Sequence, residues 1–196
     1  MMADAPGTAQ VPAADSPQER AALSSDPAHA VGQRAKALFQ SREMLCSEAI
    51  LAALVEAFGG SLTREQALGL AAPFPEGLGR AGCVCGAVSG GALGLGLYLA
   101  GHGPRREVRK AAHELHDAFK AANKATCCRV LCKDVVQGST EHFTQCAGFT
   151  GQAGETAARL ILERRPELAE GMDIQGLERK PSFLAALLRR LADKIG

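Results

Sequence analysis

The chain has 196 residues, 46% hydrophobic and 22% charged, enough apolar material for one globular domain that buries its own core without a disulfide framework. Lys and Arg total 22 against 21 Asp and Glu, a net charge of +1, and no basic cluster is interleaved with aromatics, so nucleic acid is disfavoured as a partner. Met1 to Ala14 show no basic stretch followed by an apolar one, so no secretory signal is read and a cytoplasmic chain with reduced thiols is expected.

Residues 1–33 are rich in Ala, Pro, Ser and Asp with almost no large apolar side chain, a composition that cannot offset the entropy of ordering; a disordered arm is expected there. A helical pattern runs from about Arg34 to Phe58, with Leu38, Leu45, Ala49 and Ala52 on one stripe, until Gly59 and Gly60 stop it. Thr63 to Ala72 reads as a short helix with a Ser/Thr cap, ended by Pro73 and Pro75, after which Gly77 and Gly79 make a turn.

Ala81 to Gly101 form a run of 21 uncharged residues, long enough to cross a bilayer if helical. Seven of them are glycine, two are cysteine and one is serine, so a membrane span is disfavoured and a buried central helix fits better. Gly82, Gly86, Gly90 and Gly94 recur every four residues and would let a second helix backbone approach closely.

Pro104 starts a charged amphipathic helix through about Ala122, with Val108, Ala112, Leu115 and Phe119 inward. Cys127 to Asp134 reads as one or two helical turns. After Gly138 and Ser139, helical spacing resumes from Phe143 to Arg165, before Pro166. Pro181 to Ile195 form a last helix with Leu184, Leu187, Leu188 and Leu191 on its apolar face; it packs on its own domain or docks a partner or second copy, which leaves a homodimer open. No segment shows period-two alternation, so the fold expected is all-α: a single-domain bundle of about six helices with a glycine-rich central helix. Its cysteine-containing domain would span 34–168, and 169–196 would be a linker and amphipathic helix.

Seven cysteines, Cys46, Cys83, Cys85, Cys127, Cys128, Cys132 and Cys146, fall in four separate patches of this pattern. In a reducing compartment clustered cysteines are more often metal-binding or catalytic than bridged, and an odd count points the same way. Cys46 is expected mid-helix, Cys83 and Cys85 where a glycine-rich turn enters a helix, Cys127, Cys128 and Cys132 around a short helix, and Cys146 at the opening of another. Helix N-termini favour the thiolate that ligates metal or attacks disulfides.

Cys85-Gly86-Ala87-Val88-Ser89-Gly90, with Cys46 upstream in Leu45-Cys46-Ser47-Glu48, Cys128 in Cys128-Arg129-Val130-Leu131 and Cys146 before a helix, resembles the redox-active proteins named for their C_GCAxxG_C_C pattern. The resemblance covers about residues 40–165. It implies that Cys46, Cys85, Cys128 and Cys146 are the characteristic four, that Gly86, Ala87 and Gly90 form the motif backbone, and that the chain is redox-active. Relatives include a domain joined to a dihaem, split-Soret cytochrome, but this chain has no C-x-x-C-H for covalent haem attachment.

Four thiolates match the ligand count of an iron–sulfur cluster, and soft sulfur donors suit iron–sulfur or zinc. The expectation is therefore an iron–sulfur cluster on the four, relaying electrons to a protein partner, with Cys83, Cys127 and Cys132 as further redox groups, further ligands or core fillers. Two other readings stay open. One is a metal-free thiol–disulfide protein using Cys83 with Cys85 or Cys128 with Cys132, and the other is a structural zinc site on the same ligands. His113 and His116, at i and i+3, read as members of a solvated face, and His142 as a surface loop residue able to support Cys146 from outside its ligand shell. No nucleophilic triad, phosphate loop or paired-carboxylate motif marks a substrate-converting site.

Overall fold

The computed structural model describes residues 26–178. Among the described residues, six helices of eight residues or more and four short helical turns, one of them 3-10, build an all-α bundle without strands.

Helix α1 spans Pro27–Gln40. Asp26 caps it, accepting a hydrogen bond from the Ala28 N–H at 2.9 Å, and Pro27 supplies a first residue whose missing N–H is no loss. The helix thus begins inside the expected arm, and Ala28, Ala30 and Val31 are buried. Residues 1–25 of that arm lie outside the described residues.

The expected single helix from Arg34 to Phe58 is two. Ser41 closes α1 by donating its hydroxyl to the Leu38 carbonyl at 2.8 Å, and Arg42 takes a left-handed φ of 60°. Helix α2, Cys46–Phe58, opens where the Leu45 N–H meets the Glu48 carboxylate at 2.7 Å. Cys46 is consequently the first residue of a helix, not a mid-helix residue.

Helix α3, Arg64–Ala71, follows a reciprocal cap between Thr63 and Gln66, as the Ser/Thr signal predicts. After the single turn α4, Pro75–Leu78, comes α5, Gly86–Leu99, the glycine-rich helix. A Cβ on Gly90 would stand 2.7 Å from Ser47 Cα, and one on Gly94 would strike Leu54, so α5 and α2 meet with almost no side-chain layer between them. Gly82 is not part of this stripe; it precedes the helix at φ 69° against the Arg129 side chain. Tyr98 fastens the far end, donating to the Gly59 carbonyl at 2.6 Å. Among the described residues no helix is long and apolar enough to cross a membrane.

Helix α6, Arg105–Asn123, buries Ala111, Leu115 and Phe119, with Val108 and Ala112 at the edge of the core. The one-turn α7, Cys128–Leu131, leads to α8, Thr140–Arg164, capped by Ser139. Helix α8 packs along α1 at another close approach, where a Cβ on Gly32 would stand 2.7 Å from Glu155 Cβ and 2.8 Å from the Gly151 carbonyl. A 3-10 turn, Pro166–Ala169, and helix α9, Ile174–Glu178, end the described chain. Leu177 of α9 is buried in the core, so this part of the expected linker belongs to the domain. The amphipathic helix expected over Pro181 to Ile195 lies outside the described residues.

Candidate metal centre

The site begins with an unusual piece of backbone between α4 and α5. Glu76, Gly77, Leu78, Gly79 and Arg80 all have φ between 56° and 74°. Left-handed backbone costs a non-glycine residue roughly 1–2 kcal/mol, so this run must be held from outside. The Gly82 N–H donates to the Glu76 carbonyl at 3.2 Å and the Cys83 N–H to the Gly77 carbonyl at 2.9 Å.

That folded loop then pairs with the segment before α7. Cys85 N–H donates to the Thr126 carbonyl at 2.8 Å, Cys128 N–H to the Cys83 carbonyl at 2.6 Å, and Arg129 N–H to the Gly82 carbonyl at 3.0 Å. Val84 and Cys127 form an isolated antiparallel bridge in the middle. The pairing fixes Cys85, at the N-cap of α5, relative to Cys128, the first residue of α7. Gly77 lies beneath this pairing, with room for no side chain: a Cβ there would be 2.6 Å from Cys83 N and 2.8 Å from Cys128 Cβ.

Five thiols face one cavity of about 40 Å³: Cys46, Cys85, Cys128, Cys132 and Cys146. Phe39, Ala87, Phe149 and Pro75 supply apolar wall, and Glu76 and His142 complete the lining. The four expected ligands are therefore brought together from α2, α5, α7 and α8. Cys146 does not open its helix, as expected from the sequence, but sits in the second turn of α8, one turn after His142.

The motif residues explain this convergence. A Cβ on Gly86 would fall on the Cys46 sulfur, so only glycine leaves Cys46 its place beside Cys85. Ala87 is fully buried and lines the cavity with the smallest possible side chain. Gly90 brings the Ser47 backbone, next to Cys46, against the same helix.

Cys132 is the fifth thiol. Its Sγ lies 4.0 Å from the Cys146 Sγ, and the Nε2 of His142 lies 3.6 Å from the same Cys146 sulfur. The donor atoms of these three residues are all within 4.8 Å of one another. His142 is a residue of α8 and not of a loop. Its Nδ1 accepts the Gly138 N–H at 3.2 Å, so in the neutral ring the proton sits on Nε2, aimed at Cys146. Histidine in this tautomer donates a hydrogen bond to sulfur instead of lending a lone pair to metal.

The electrostatics are those of crowded, desolvated thiols. Burial pushes Cys46 up to about 11. Burial, and then the nearby Cys46 sulfur, push Cys85 up to about 12. Cys128 rises to about 12, from burial first and then from Cys132 and Cys46, and Cys146 is raised further for the same kinds of reason. The helix N-terminus acts the other way at Cys85, through the Ala87 and Val88 N–H groups, but burial outweighs it. The expectation that a helix start makes these thiols anionic is thus reversed for the protein without metal; a cation in their midst would invert the balance.

Cys83 and Cys127 do not line the cavity. Cys83 is exposed, and the Cys127 thiol donates to the Gly82 carbonyl at 3.1 Å. His113 and His116 stack 6.3 Å apart on α6 and share Asp117, at 3.3 and 2.9 Å, on the outer face of that helix. Their donors and that of Asp117 lie within 4.8 Å, apart from the cysteine cavity. The sequence offered two signals for the wider site: Cys132 one helical turn after Cys128, and His142 one turn before Cys146.

A family model described as putative redox-active protein (C_GCAxxG_C_C) matches residues 44–160, more than half of the chain and all of the cavity cysteines. No curated protein and no solved structure matches.

Proposed function

We propose, for a chain that belongs to the C_GCAxxG_C_C family of redox-active proteins, that Cys46, Cys85, Cys128 and Cys146 hold an iron–sulfur cluster and that the protein relays electrons to a protein partner in the cytoplasm. The observation that carries this reading is the convergence of these four thiols, from four separate segments, on one apolar-walled cavity.

The donor set fits the group. All four are soft sulfur ligands, the number such a cluster takes, and its iron supplies one-electron chemistry when bound. The chain's own residues do the rest. Gly86 and Gly90 admit the Cys46 segment against α5, and Phe39, Phe149 and Ala87 set apolar surface beside the sulfurs. The N–H groups of Glu76, near Cys46, and of Ala87 and Val88, near Cys85, stabilise negative charge on those sulfurs. His142 adds an N–H directed at Cys146. Since the thiols are protonated at neutral pH, loading of the site releases protons and tightens as pH rises.

A single zinc ion is the second reading. Its supporting observation is the 4.0 Å between Cys132 and Cys146, near the about 3.8 Å that two thiolates on one tetrahedral zinc would have. The Nε2-protonated state of His142 weighs against completing that set.

The test is the absorption spectrum of protein purified without oxygen, with iron and sulfide assays, before and after dithionite. Broad visible absorption that bleaches on reduction is expected. Colourless, iron-free protein after anaerobic reconstitution would overturn the cluster, and tight stoichiometric zinc in its place would favour the second reading.

A further inference from the structure

The four ligands that the resemblance implies, Cys46, Cys85, Cys128 and Cys146, account for four of the five cavity thiols and leave Cys132 over. We propose that Cys132 and Cys146 form a dithiol–disulfide pair that exchanges with small disulfides, and that closing it withdraws Cys146 from metal. The second half rests on the reading of Cys146 as a ligand; the first does not.

The two sulfurs are 4.0 Å apart, while a disulfide needs about 2.05 Å, so the bond requires an approach of about 2 Å. Cys146 is held in the second turn of α8. Cys132 can supply the movement: it is the C-cap that follows the one-turn α7 and starts a connection whose residues Lys133, Asp134, Val136, Gln137 and Gly138 are exposed. Both cysteines are partly exposed, which admits a small disulfide.

Cys128 is the competing partner for Cys132, and local geometry disfavours it. The two are joined by the helical hydrogen bond from Cys132 N–H to the Cys128 carbonyl at 3.0 Å. At i and i+4, Cβ atoms stand about 5–6 Å apart, beyond the roughly 3.5–4.5 Å that a disulfide spans, so that bridge would unwind α7.

The exchange balances as follows. The Cys132 thiolate attacks one sulfur of RSSR, the R–S–S–R bond breaks, and the departing thiolate takes a proton as RSH. The Cys146 thiolate then attacks the Cys132 sulfur and displaces the second RSH. Two protein thiols lose two electrons and two protons, and one small disulfide is reduced to two thiols.

The test uses the full chain, metal-free and reduced, treated with oxidised glutathione, alkylated and cut with trypsin. Cleavage after Arg129, Lys133 and Arg159 puts Cys132 in peptide 130–133 and Cys146 in peptide 134–159, both separate from Cys127 and Cys128. A cross-link between these two peptides that dithiothreitol removes is expected. A cross-link from Cys132 to the Cys128 peptide, or Cys132 recovered alkylated while other thiols carry glutathione, would overturn the pair.

Iron uptake of the same samples tests the coupling. Wild type should lose uptake after oxidation and regain it with dithiothreitol, while oxidised and reduced samples of Cys132→Ser should take up iron equally. Equal uptake by cross-linked and reduced wild type would overturn the coupling. If neither protein takes up iron in any state, the cluster reading fails while the peptide map still decides the pair.

Discussion

The Cys46 sulfur occupies the space that a side chain on Gly86 would fill. The start of α2 and the start of α5 therefore interlock at one sulfur, which puts Cys46 beside Cys85 and makes a glycine between Cys85 and Ala87 a requirement of the site.

Gly86→Ala should consequently displace Cys46. Inserting a methyl into such packing costs about 1–3 kcal/mol, and we expect lower iron uptake as well as a lower urea midpoint. Gly96→Ala is the control, since nothing lies within 4 Å of its added carbon and it stands inside the same helix. There alanine should raise stability by about 0.5–1 kcal/mol and leave iron uptake alone. Equal behaviour of the two variants would contradict the role of Gly86.

The thiols set a pH dependence for the metal-free, reduced protein. In the fold Cys46 titrates at about 11 and Cys85 and Cys128 at about 12, against an ordinary value of 9.0. Above about pH 9 the unfolded chain gives up protons that the folded chain keeps, so stability is fully present below 9 and falls as pH rises towards 11 and 12. The slope is at most about 1.4 kcal/mol per pH unit for each such thiol, less where solvent screens it. A urea midpoint at about pH 10 that matches the one at about pH 8 would contradict this.

The neutral His142 ring should carry its proton on Nε2, because the Gly138 N–H occupies Nδ1. Nitrogen chemical shifts of the ring in the metal-free protein read this directly; the Nδ1-protonated form would refute it. In iron-loaded protein, His142→Phe should lower the reduction potential, since an N–H donated to a ligand sulfur stabilises the more negative, reduced state.

Tyr98→Phe tests the scaffold away from the sulfurs. The hydroxyl donates to the Gly59 carbonyl at 2.6 Å and lies 3.2 Å from the Leu54 carbonyl, tying the end of α5 to the end of α2. Its loss should cost about 1 kcal/mol in urea unfolding, with iron uptake retained.

Much of this architecture is legible in the sequence. The glycine spacing from 86 to 94 announces a helix that meets another backbone, and the cap at Thr63 marks a start that the structure keeps, whereas Ser139, read only as a break before a helix from Phe143, caps α8 at Thr140. The break between α1 and α2 is not legible from apolar periodicity, because Leu38 and Ala49 keep a helical stripe across a residue, Arg42, that turns left-handed. Asp26-Pro27 is a helix start by its chemistry, yet the polar composition around it hides the buried Ala28, Ala30 and Val31. Cys132 stands one helical turn after Cys128, a local signal, but its approach to Cys146 depends on where α7 meets α8, a tertiary relation that spacing does not encode. The raised thiol titrations arise the same way, from burial and neighbouring sulfurs that a helix N-terminus alone does not foretell.

The most direct measurement is iron per chain after anaerobic reconstitution of single-cysteine variants. Cys46→Ser, Cys85→Ser, Cys128→Ser and Cys146→Ser should each lose bound iron, while Cys83→Ser and Cys127→Ser, whose sulfurs do not line the cavity, should match wild type. Iron retained in all four cavity variants, or lost only with Cys83 or Cys127, would contradict the assignment of the cavity as the metal centre.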